Sequence, residues 1–500
     1  MNAMLLVALL IVPLAAAGLA YFARTRVAME AVNLAAFTVI LVVALLLGRQ
    51  VLASGPVALW DGFFYADELS ALVILLTASM AMVCSVYAVG YMREDERSGA
   101  LASDDSGATA NSKLRQYYAL TPLFVFAMLL VTLANNLGVM WVAIEATTLA
   151  SVFLVMFYGK VTSLEAAWKY AIIGGVGLSM ALFGTVLAYY SAHNLAGSET
   201  LAGLNWSVLA SHAAQLDKTT MRLAFILALL GYGTKAGLAP MHTWKPDAYS
   251  EAPVPAAAIL STAMLNCALY GLVRFYILST RCLGPDFAGG LLITFGILSM
   301  GVSAPFVLVQ RNYRRLLAYH TIDHAGIMAT ALGVGGALGS LALMLHMTFH
   351  TVAKGLLFLC AGNVSQHFKT DLFRKIKGGV IQAMPVTGVI FLMAILAIIG
   401  MPPFSLFQSE FLIVRAALAG GHSVASVLFI VFGMGVFAGA LIHIGSLVLG
   451  PSDGAPAAEW HPWRNTPMLF LAAVLVVIGF WLPAPLLALI RGAARVVTGE

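Results

Sequence analysis

Charge is what this chain has least of. Asp, Glu, Lys and Arg make up 10% of its 500 residues, where a soluble globular domain carries about 25%. That scarcity excludes a water-soluble enzyme of two or three domains, which length alone would suggest. It excludes a nucleic-acid binder as well, because the net charge of +5 is scattered over interhelical connections and forms no basic domain. Cysteine is scarcer still. Cys84, Cys267, Cys282 and Cys360 stand apart, so no C-x-x-C pair holds an iron–sulfur cluster or zinc ion and no disulfide framework is indicated. They read as small core residues, Cys282 at a membrane edge. The opening MNAMLLVALLIVPLAAAGLAYFARTR lacks the basic residues that precede the apolar run of a cleaved signal and reads as a first span. There is no Walker sequence, haem-type ligand pair or nucleophile elbow. GVGGALG (333–339) joins two spans as a tight turn and follows no strand, so it is no nucleotide fingerprint. No cofactor and no metal are expected on this chain.

What the chain has in abundance is apolar sequence, 61% of it. A spanning helix needs roughly 20 apolar residues, and such runs recur near 3–22, 29–47, 68–91, 117–134, 137–157, 164–190, 221–249, 256–279, 287–309, 316–334, 338–361, 381–418, 424–449 and 467–490. The pattern predicts an all-α polytopic membrane protein with about fourteen spans. Two runs are too long for one plain helix and are interrupted. GYGTKAGLAPMHTW contains Gly237 and Pro240; IIGMPPFSLFQSEF contains Gly400, Pro402 and Pro403. Proline removes a helical donor and clashes with the preceding turn, and in lipid the freed backbone must be buried in protein or line a polar cavity. Broken helices at matching places of two halves point to a transport site built from an inverted repeat. Here the two glycines stand 163 residues apart with five spans from one break to the next, and an odd number inverts the second copy. The expected organisation is an N-terminal three-helix segment and inner loop (1–116), a first repeat (117–280), a second repeat (281–450), and a C-terminal loop with a final helix (451–500).

Lysine and arginine placement sets orientation. With the N-terminus outside, sixteen fall in inner loops, among them Arg24, Arg93, Arg314, Lys245 and Lys377, against seven outside, Arg274 included. Both termini are therefore expected outside. The polar stretch 94–112 is expected to be a mobile inner loop.

A charge at the bilayer centre costs roughly 2.5–3.5 kcal/mol on insertion scales, so charges left inside spans are functional candidates. They are Glu145, Lys169, Lys235, Lys354, Glu410 and Arg415. Glu145, in GVMWVAIEATTLASVFLV, has no basic neighbour within a helical turn, so its partner must come from another helix. Lys235 precedes the first break, where unwound carbonyls and water can reach an ammonium. A carboxylate moving towards or away from it would change its proton affinity; the alternative is a structural salt bridge between helices. His346, His350 and Lys354 form an i, i+4, i+8 series in HMTFHTVAKGLLF, stacking three protonatable groups at about 6 Å per step. Because histidine titrates near pH 6.5, this face reads as a proton wire. No acidic third ligand follows on the same face, which argues against a metal there. His320 and His324 share a face in YHTIDHAGIM, with Asp323 beside them, near the inner border; interfacial polar residues are the competing explanation. Glu410 follows the second break and mirrors Lys235 with opposite charge, a last acceptor before an exit. Lys169 either tunes Glu145 or snorkels to the inner surface, and tuning is preferred. Arg415 reads as interfacial. Asn266 and His443 are further polar groups close by.

Taken together, GYGTKAGLAPMHTWKPDAYSEAPVPAAAIL, RRLLAYHTIDHAGIM, HMTFHTVAKGLLFLCAGNV and GMPPFSLFQSEF resemble the antiporter-like subunits of respiratory complex I. That family also includes Mrp-type cation/proton antiporters and group 4 membrane-bound hydrogenases. The resemblance covers roughly residues 60–450, and NCALYGLVRFY is similar to the F-type branch of the hydrogenase-4 membrane components. It implies fourteen helices, two inverted five-helix bundles with broken seventh and twelfth helices, and a central polar axis of ionisable groups and water. By motif it implies that Glu145 is the fifth-helix glutamate, Lys235 the seventh-helix lysine and Lys354 the central lysine, with His350 and His346 on its approach. His324 matches a histidine used in some members, and Glu410 a twelfth-helix glutamate where others carry lysine. Asn266 stands where a complex I relative places a bridging lysine, a departure that weakens the link between the halves unless water or a histidine substitutes. Lys245 occupies a usually apolar position.

The function this implies is proton translocation by a membrane subunit of a larger redox complex. Its partners would be other membrane subunits and a peripheral redox module, in a bacterial-type inner membrane. Catalysis would lie on other chains. The alternatives are an Mrp-type sodium/proton antiporter subunit, a non-pumping membrane anchor, and a subunit coupled to inorganic carbon uptake.

Overall fold

The computed structural model describes residues 2–101, 109–193, 201–376, 379–451 and 459–499, and the chain is almost entirely helical. It begins with α1 (Asn2–Phe22), α2 (Arg26–Ser54) and α3 (Glu68–Arg97). A small antiparallel hairpin, β1 (Val57–Leu59) on β2 (Phe64–Ala66), sits between α2 and α3; the all-helical expectation did not include it. Next come α4 (Ala110–Leu133), α5 (Leu137–Val155), α6 (Val161–Tyr190), the short α7 (Trp206–Ser211), α8 (Lys218–Ala236) and α9 (Trp244–Glu251). α10 (Val254–Ile259) passes through a π-helical turn, Leu260–Met264, into α11 (Leu265–Leu283). The second part holds α12 (Pro285–Val309), α13 (Tyr313–Val334), α14 (Gly336–Phe368), the short α15 (Phe373–Ile376) and α16 (Val380–Ala383), α17 (Pro385–Ile398), α18 (Ser405–Ala419) and α19 (Ser423–Leu449). α20 (Pro462–Phe480) and α21 (Ala484–Thr498) follow.

In hydrocarbon every backbone N–H and C=O must find a partner within the protein, and helices provide this locally. Among the described residues eleven helices are long and apolar enough to cross a membrane. Outer faces carry large apolar side chains such as Phe22, Trp168, Phe183, Met434 and Phe480, a surface suited to lipid. The apolar window of Val254–Leu283 is wholly buried and that of Gly336–Phe368 94% buried, against 28% for Met4–Phe22 and for Ser423–Leu449. α10–α11 and α14 therefore form the centre, and α1 and α19 the rim.

Helix starts follow local chemistry. Asp67, Asn136, Asp217 and Asn312 each accept from backbone N–H groups of the first turn. At Asp217 the Thr220 hydroxyl and N–H, at 2.6 and 2.8 Å, hold the carboxyl below its ordinary range. Small residues let helices close up. A Cβ on Gly231 of α8 would stand 2.4 Å from that of Ala181 on α6, and one on Gly326 of α13 would stand 2.6 Å from the Gly296 carbonyl of α12. GVGGALG is the expected tight turn, with positive φ at Gly335 and Gly336 between α13 and α14.

Two stretches differ from expectation. The last span, expected over 467–490, stops at Phe480. Trp481 is extended, and Pro483 caps a separate α21 that packs on α3 and α14; the residue before a proline is disfavoured in helix. The polar stretch 94–112 lends its ends to α3 and α4, while its middle, 102–108, lies outside the described residues, as does Lys377.

Both expected breaks are present and share one backbone design. At the first, Gly237 has φ 76°, Leu238 N–H donates to Gly233 O (2.8 Å) and Gly237 N–H to Thr234 O (3.1 Å). At the second, Gly400 has φ 71°, Met401 N–H donates to Leu396 O (3.1 Å) and Gly400 N–H to Ala397 O (3.2 Å). This is the Schellman arrangement, in which a left-handed glycine reverses the chain and uses up two end carbonyls. A cis peptide follows each, at Ala239–Pro240 and Pro402–Pro403.

Candidate functional site

The first break ends α8 one residue after Lys235, whose side chain is thereby left among α5, α6 and α9. Lys235 is 1% exposed. Its ammonium donates to the Thr148 hydroxyl of α5 and the Tyr170 hydroxyl of α6, both at 2.7 Å, and lies 4.9 Å from the centre of the Tyr170 ring. The proton order beyond it can be worked out. Ser151 donates to Thr147 O (2.6 Å), so its oxygen accepts from Tyr170 at 2.8 Å, which leaves the Tyr170 oxygen to accept from Lys235. Glu145 lies one turn before Thr148 on α5, half-buried, and its Oε2 has no hydrogen-bond partner among the described residues. The Glu145–Lys235 pair that the sequence suggested is thus not closed as an ion pair. Hydroxyls hold the ammonium, and the carboxylate acts on it from a distance.

Lys245, for which the sequence offered no role, caps the break. Fully buried, it donates through Nζ to Ala236 O, one of the carbonyls that the interrupted helix leaves free. Trp244 adds a second donor to Thr234 O, which already accepts from Gly237 N–H: its Nε1 donates there at 3.0 Å while its ring stacks on Tyr170 at 4.4 Å. The Lys245 chain crosses directly over Gly237, where a Cβ would stand 2.3 Å from Lys245 Cε. At the second break the same position is taken by a carboxylate, since a Cβ on Gly400 would stand 2.3 Å from Glu410 Oε2. The side chain that lies over its break glycine as Glu410 does is therefore Lys245, while Lys235 lies before its break.

A second array gathers from three helices. α13 brings His320, Asp323 and His324, α14 brings His346, His350 and Lys354, and α18 brings Ser409 and Glu410. All are buried except Glu410, which is half-buried. The imidazoles form a cluster, with ring centres 5.1 Å apart for His324–His346, 4.9 Å for His324–His350 and 6.0 Å for His320–His324. Here too the tautomers can be assigned. Ser409 donates to Leu406 O (2.8 Å), so its oxygen accepts from His346 Nδ1–H (2.9 Å). His346 Nε2 then carries a lone pair and accepts from His324 Nδ1–H at 2.9 Å. His324 Nε2 is left as a bare acceptor. It has no partner among the described residues, and neither do both nitrogens of His320 and His350, Lys354 Nζ and Asp323 Oδ1. An unsatisfied buried polar group costs about 1–3 kcal/mol, so a cluster of them calls for an explanation.

Asn266 on α11 reaches between the arrays. Its amide donates to the Thr351 hydroxyl at 2.8 Å, next to His350, and its Oδ1 has no partner. It links the halves but cannot titrate. Three residues picked out by sequence are not brought in. Lys169 pairs with Glu165 (2.6 Å) and Asp247 (3.1 Å), its side chain 46% exposed, so the preferred tuning of Glu145 gives way to surface pairing. His443 on α19 bonds Leu308 O (2.8 Å) and stacks on Phe373. Arg415 faces outward.

Sequence reading missed Thr148, Ser151, Tyr170 and Ser409, because hydroxyls inside apolar runs look like packing until a neighbour supplies a charge. Helical phase was the one available signal: Lys169 and Tyr170 are consecutive, so only one can face inwards. Arg274, counted among the charges on the outer side, lies on α11. It is buried against Asp67, at 2.7 and 2.8 Å, with Ser70 and Tyr270 around it.

Comparison with known proteins agrees with this architecture. The family described as NADH:quinone oxidoreductase/Mrp antiporter, TM, matches residues 134–437. A hydrogenase-4 component F homolog of Methylacidiphilum infernorum (isolate V4) is 38% identical over 426 residues, 84% of this chain and 86% of the relative. The fold is similar to that of a chain in the membrane-bound sulfane sulfur reductase (MBS), an archaeal respiratory membrane complex. The TM-score is 0.85 at 23% identity, covering 99% of this chain and 97% of that one. A chain of respiratory complex I from Thermus thermophilus with bound Aureothin gives a TM-score of 0.73 at 25% identity, covering 96% and 97%.

Proposed function

Because this chain belongs to the NADH:quinone oxidoreductase/Mrp antiporter transmembrane family, we propose that it is a proton-translocating membrane subunit of a multisubunit redox complex, hydrogenase-4-like or complex I-like. It sits in a bacterial-type inner membrane with both termini outside. Residues 117–280 and 281–450 act as inverted repeats, each contributing one broken helix and one buried array. No haem, cluster or nucleotide motif lies in the sequence, so the driving energy comes from a peripheral redox module on other chains.

The observation that carries this is the series of buried titratable groups, Lys235, the histidines and Lys354, flanked by the half-buried Glu145 and Glu410, several with unpartnered polar atoms. In a bilayer such groups are costly and persist where they move ions. A change at Glu145 alters how firmly Lys235 keeps its proton. Lys245 and Asn266 lie between that lysine and the second array, where a proton landing on bare His324 Nε2 releases the Nδ1 proton to His346. Glu410, half-buried beside the second break, is the outlet. The sodium alternative fits less well, since the second array offers mainly nitrogen, whereas hard cations take oxygen ligands.

The test is proton uptake by membrane vesicles carrying Lys235→Ala or Glu145→Ala. Each substitution cuts translocation by roughly a hundredfold, the scale of a lost positioned proton carrier, while the subunit still assembles. Undiminished rates in both would remove these residues from the mechanism.

A further inference from the structure

His324, His346 and Glu410 converge from α13, α14 and α18, each bringing one ligand atom within 4.8 Å of the other two. Two nitrogens and a carboxylate oxygen are the donor set that a zinc-class ion takes from three protein ligands, leaving the fourth position for water. Magnesium and calcium, which require oxygen, do not suit it. Of the His346–His350 face only His346 takes part; the other two ligands come from α13 and α18, where sequence spacing could not show them.

Two features beyond proximity indicate a built site. Ser409 fixes His346 as the Nδ1–H tautomer, so Nε2 already points its lone pair inward; a metal-bound histidine is held in this way by a hydrogen bond to its other nitrogen. Opposite it, His324 has a buried Nε2 with no partner, which can take the proton that Nδ1 gives up. The geometry is close to what an ion needs. Two nitrogens on a tetrahedral ion at ~2.0–2.1 Å stand about 3.3 Å apart, and here they are 2.9 Å apart around one shared proton. A separation of a few tenths of an ångström admits the ion. His320, Asp323 and His324 also cluster, but they come from a single helix and are all buried, whereas Glu410 is half-buried and gives a way in.

We propose that His324, His346 and Glu410 bind one divalent transition-metal ion of the zinc class, which takes the place of the proton shared by the two histidines and stops the relay. On binding, the His324 proton moves from Nδ1 to Nε2, and three protein–metal bonds form with no change of oxidation state. Binding follows from the geometry alone, while the block rests on the proton-translocation reading, and the test separates them.

The probe is Co2+ added to the purified full chain in lipid nanodiscs, read by the visible ligand-field bands of a four-coordinate ion. One Co2+ per chain is expected, displaced by Zn2+. Glu410→Gln and His346→Ala abolish the bands, and His443→Ala leaves them unchanged. Ser409→Ala, which keeps all three ligands, weakens binding by about ten- to a hundredfold. An absence of bands, or bands that survive in both Glu410→Gln and His346→Ala, overturns the site. In vesicles of the unsubstituted chain, saturating Zn2+ halts proton uptake; uptake that continues with the metal bound overturns the block and leaves the site standing. Vesicles that take up no protons even without Zn2+ overturn the block by way of the proton reading.

Discussion

The two breaks are built alike in backbone and differently in chemistry. Each has a left-handed glycine, the same pair of reversing hydrogen bonds and a side chain folded over that glycine. Each nearby array ends in a serine, Ser151 or Ser409, that donates to a helix carbonyl and so accepts from the array. Yet the folded-over side chain is Lys245 in one case and Glu410 in the other. Lys245 can donate to a freed carbonyl, and it does. Glu410 lies instead towards the histidines, its carboxyl close to His324 and His346. In the first array the Lys235 ammonium is bonded to two hydroxyls, while in the second His320, His350 and Lys354 have polar atoms unpartnered among the described residues. The two breaks thus share a main-chain design and differ in the side chains laid over it.

The comparison can be broken most forcefully at the open array. Lys354→Met lowers vesicle proton uptake by roughly a hundredfold, as Lys235→Ala does; if only the Lys354 variant is impaired, the first array is a helix staple and the contrast fails. Next comes the pair of side chains over the glycines. Glu410→Gln cuts uptake by about tenfold or more, at the low end of what one positioned proton carrier supplies. Lys245→Met chiefly destabilises the protein, by about 1–3 kcal/mol for the orphaned Ala236 carbonyl, read as a lower midpoint in thermal unfolding. Equal losses of uptake from both would make the two breaks chemically equivalent. The smallest effect is at Tyr170→Phe, which removes one of two acceptors from Lys235 and slows uptake by between about two- and tenfold. Lys169→Ala, outside the array, leaves uptake unchanged in the same assay.

Much of the fold was legible from the sequence. Glycine and proline write themselves into the backbone wherever they fall, so Gly237 and Gly400 marked both breaks, and the apolar runs marked the helices. The buried charges were legible as a set, because each is an exception in an apolar run. What they touch was not. Thr148 and Tyr170 hold Lys235, where the sequence suggests Glu145; Lys169, expected to tune Glu145, pairs with Glu165 and Asp247; Arg274, counted on the outer side, is buried against Asp67. The i, i+4, i+8 histidines did lie on one face, but the contacts that give them direction, His324 to His346 and His346 to Ser409, cross from helix to helix.

From its residues alone, then, the chain determined that it lives in lipid, where its helices break and which ionisable groups it must shelter. Each of these follows from a cost borne by one residue or one helical turn, and such costs can be read locally. Tertiary packing decided which lysine lies over which glycine, which tautomer each histidine adopts, and that Glu410 meets imidazoles while Lys245 meets a carbonyl. Helices in a bilayer gain no hydrophobic advantage from one packing over another. Small residues and hydrogen bonds between distant segments therefore make that choice, and they exist only once the bundle has closed.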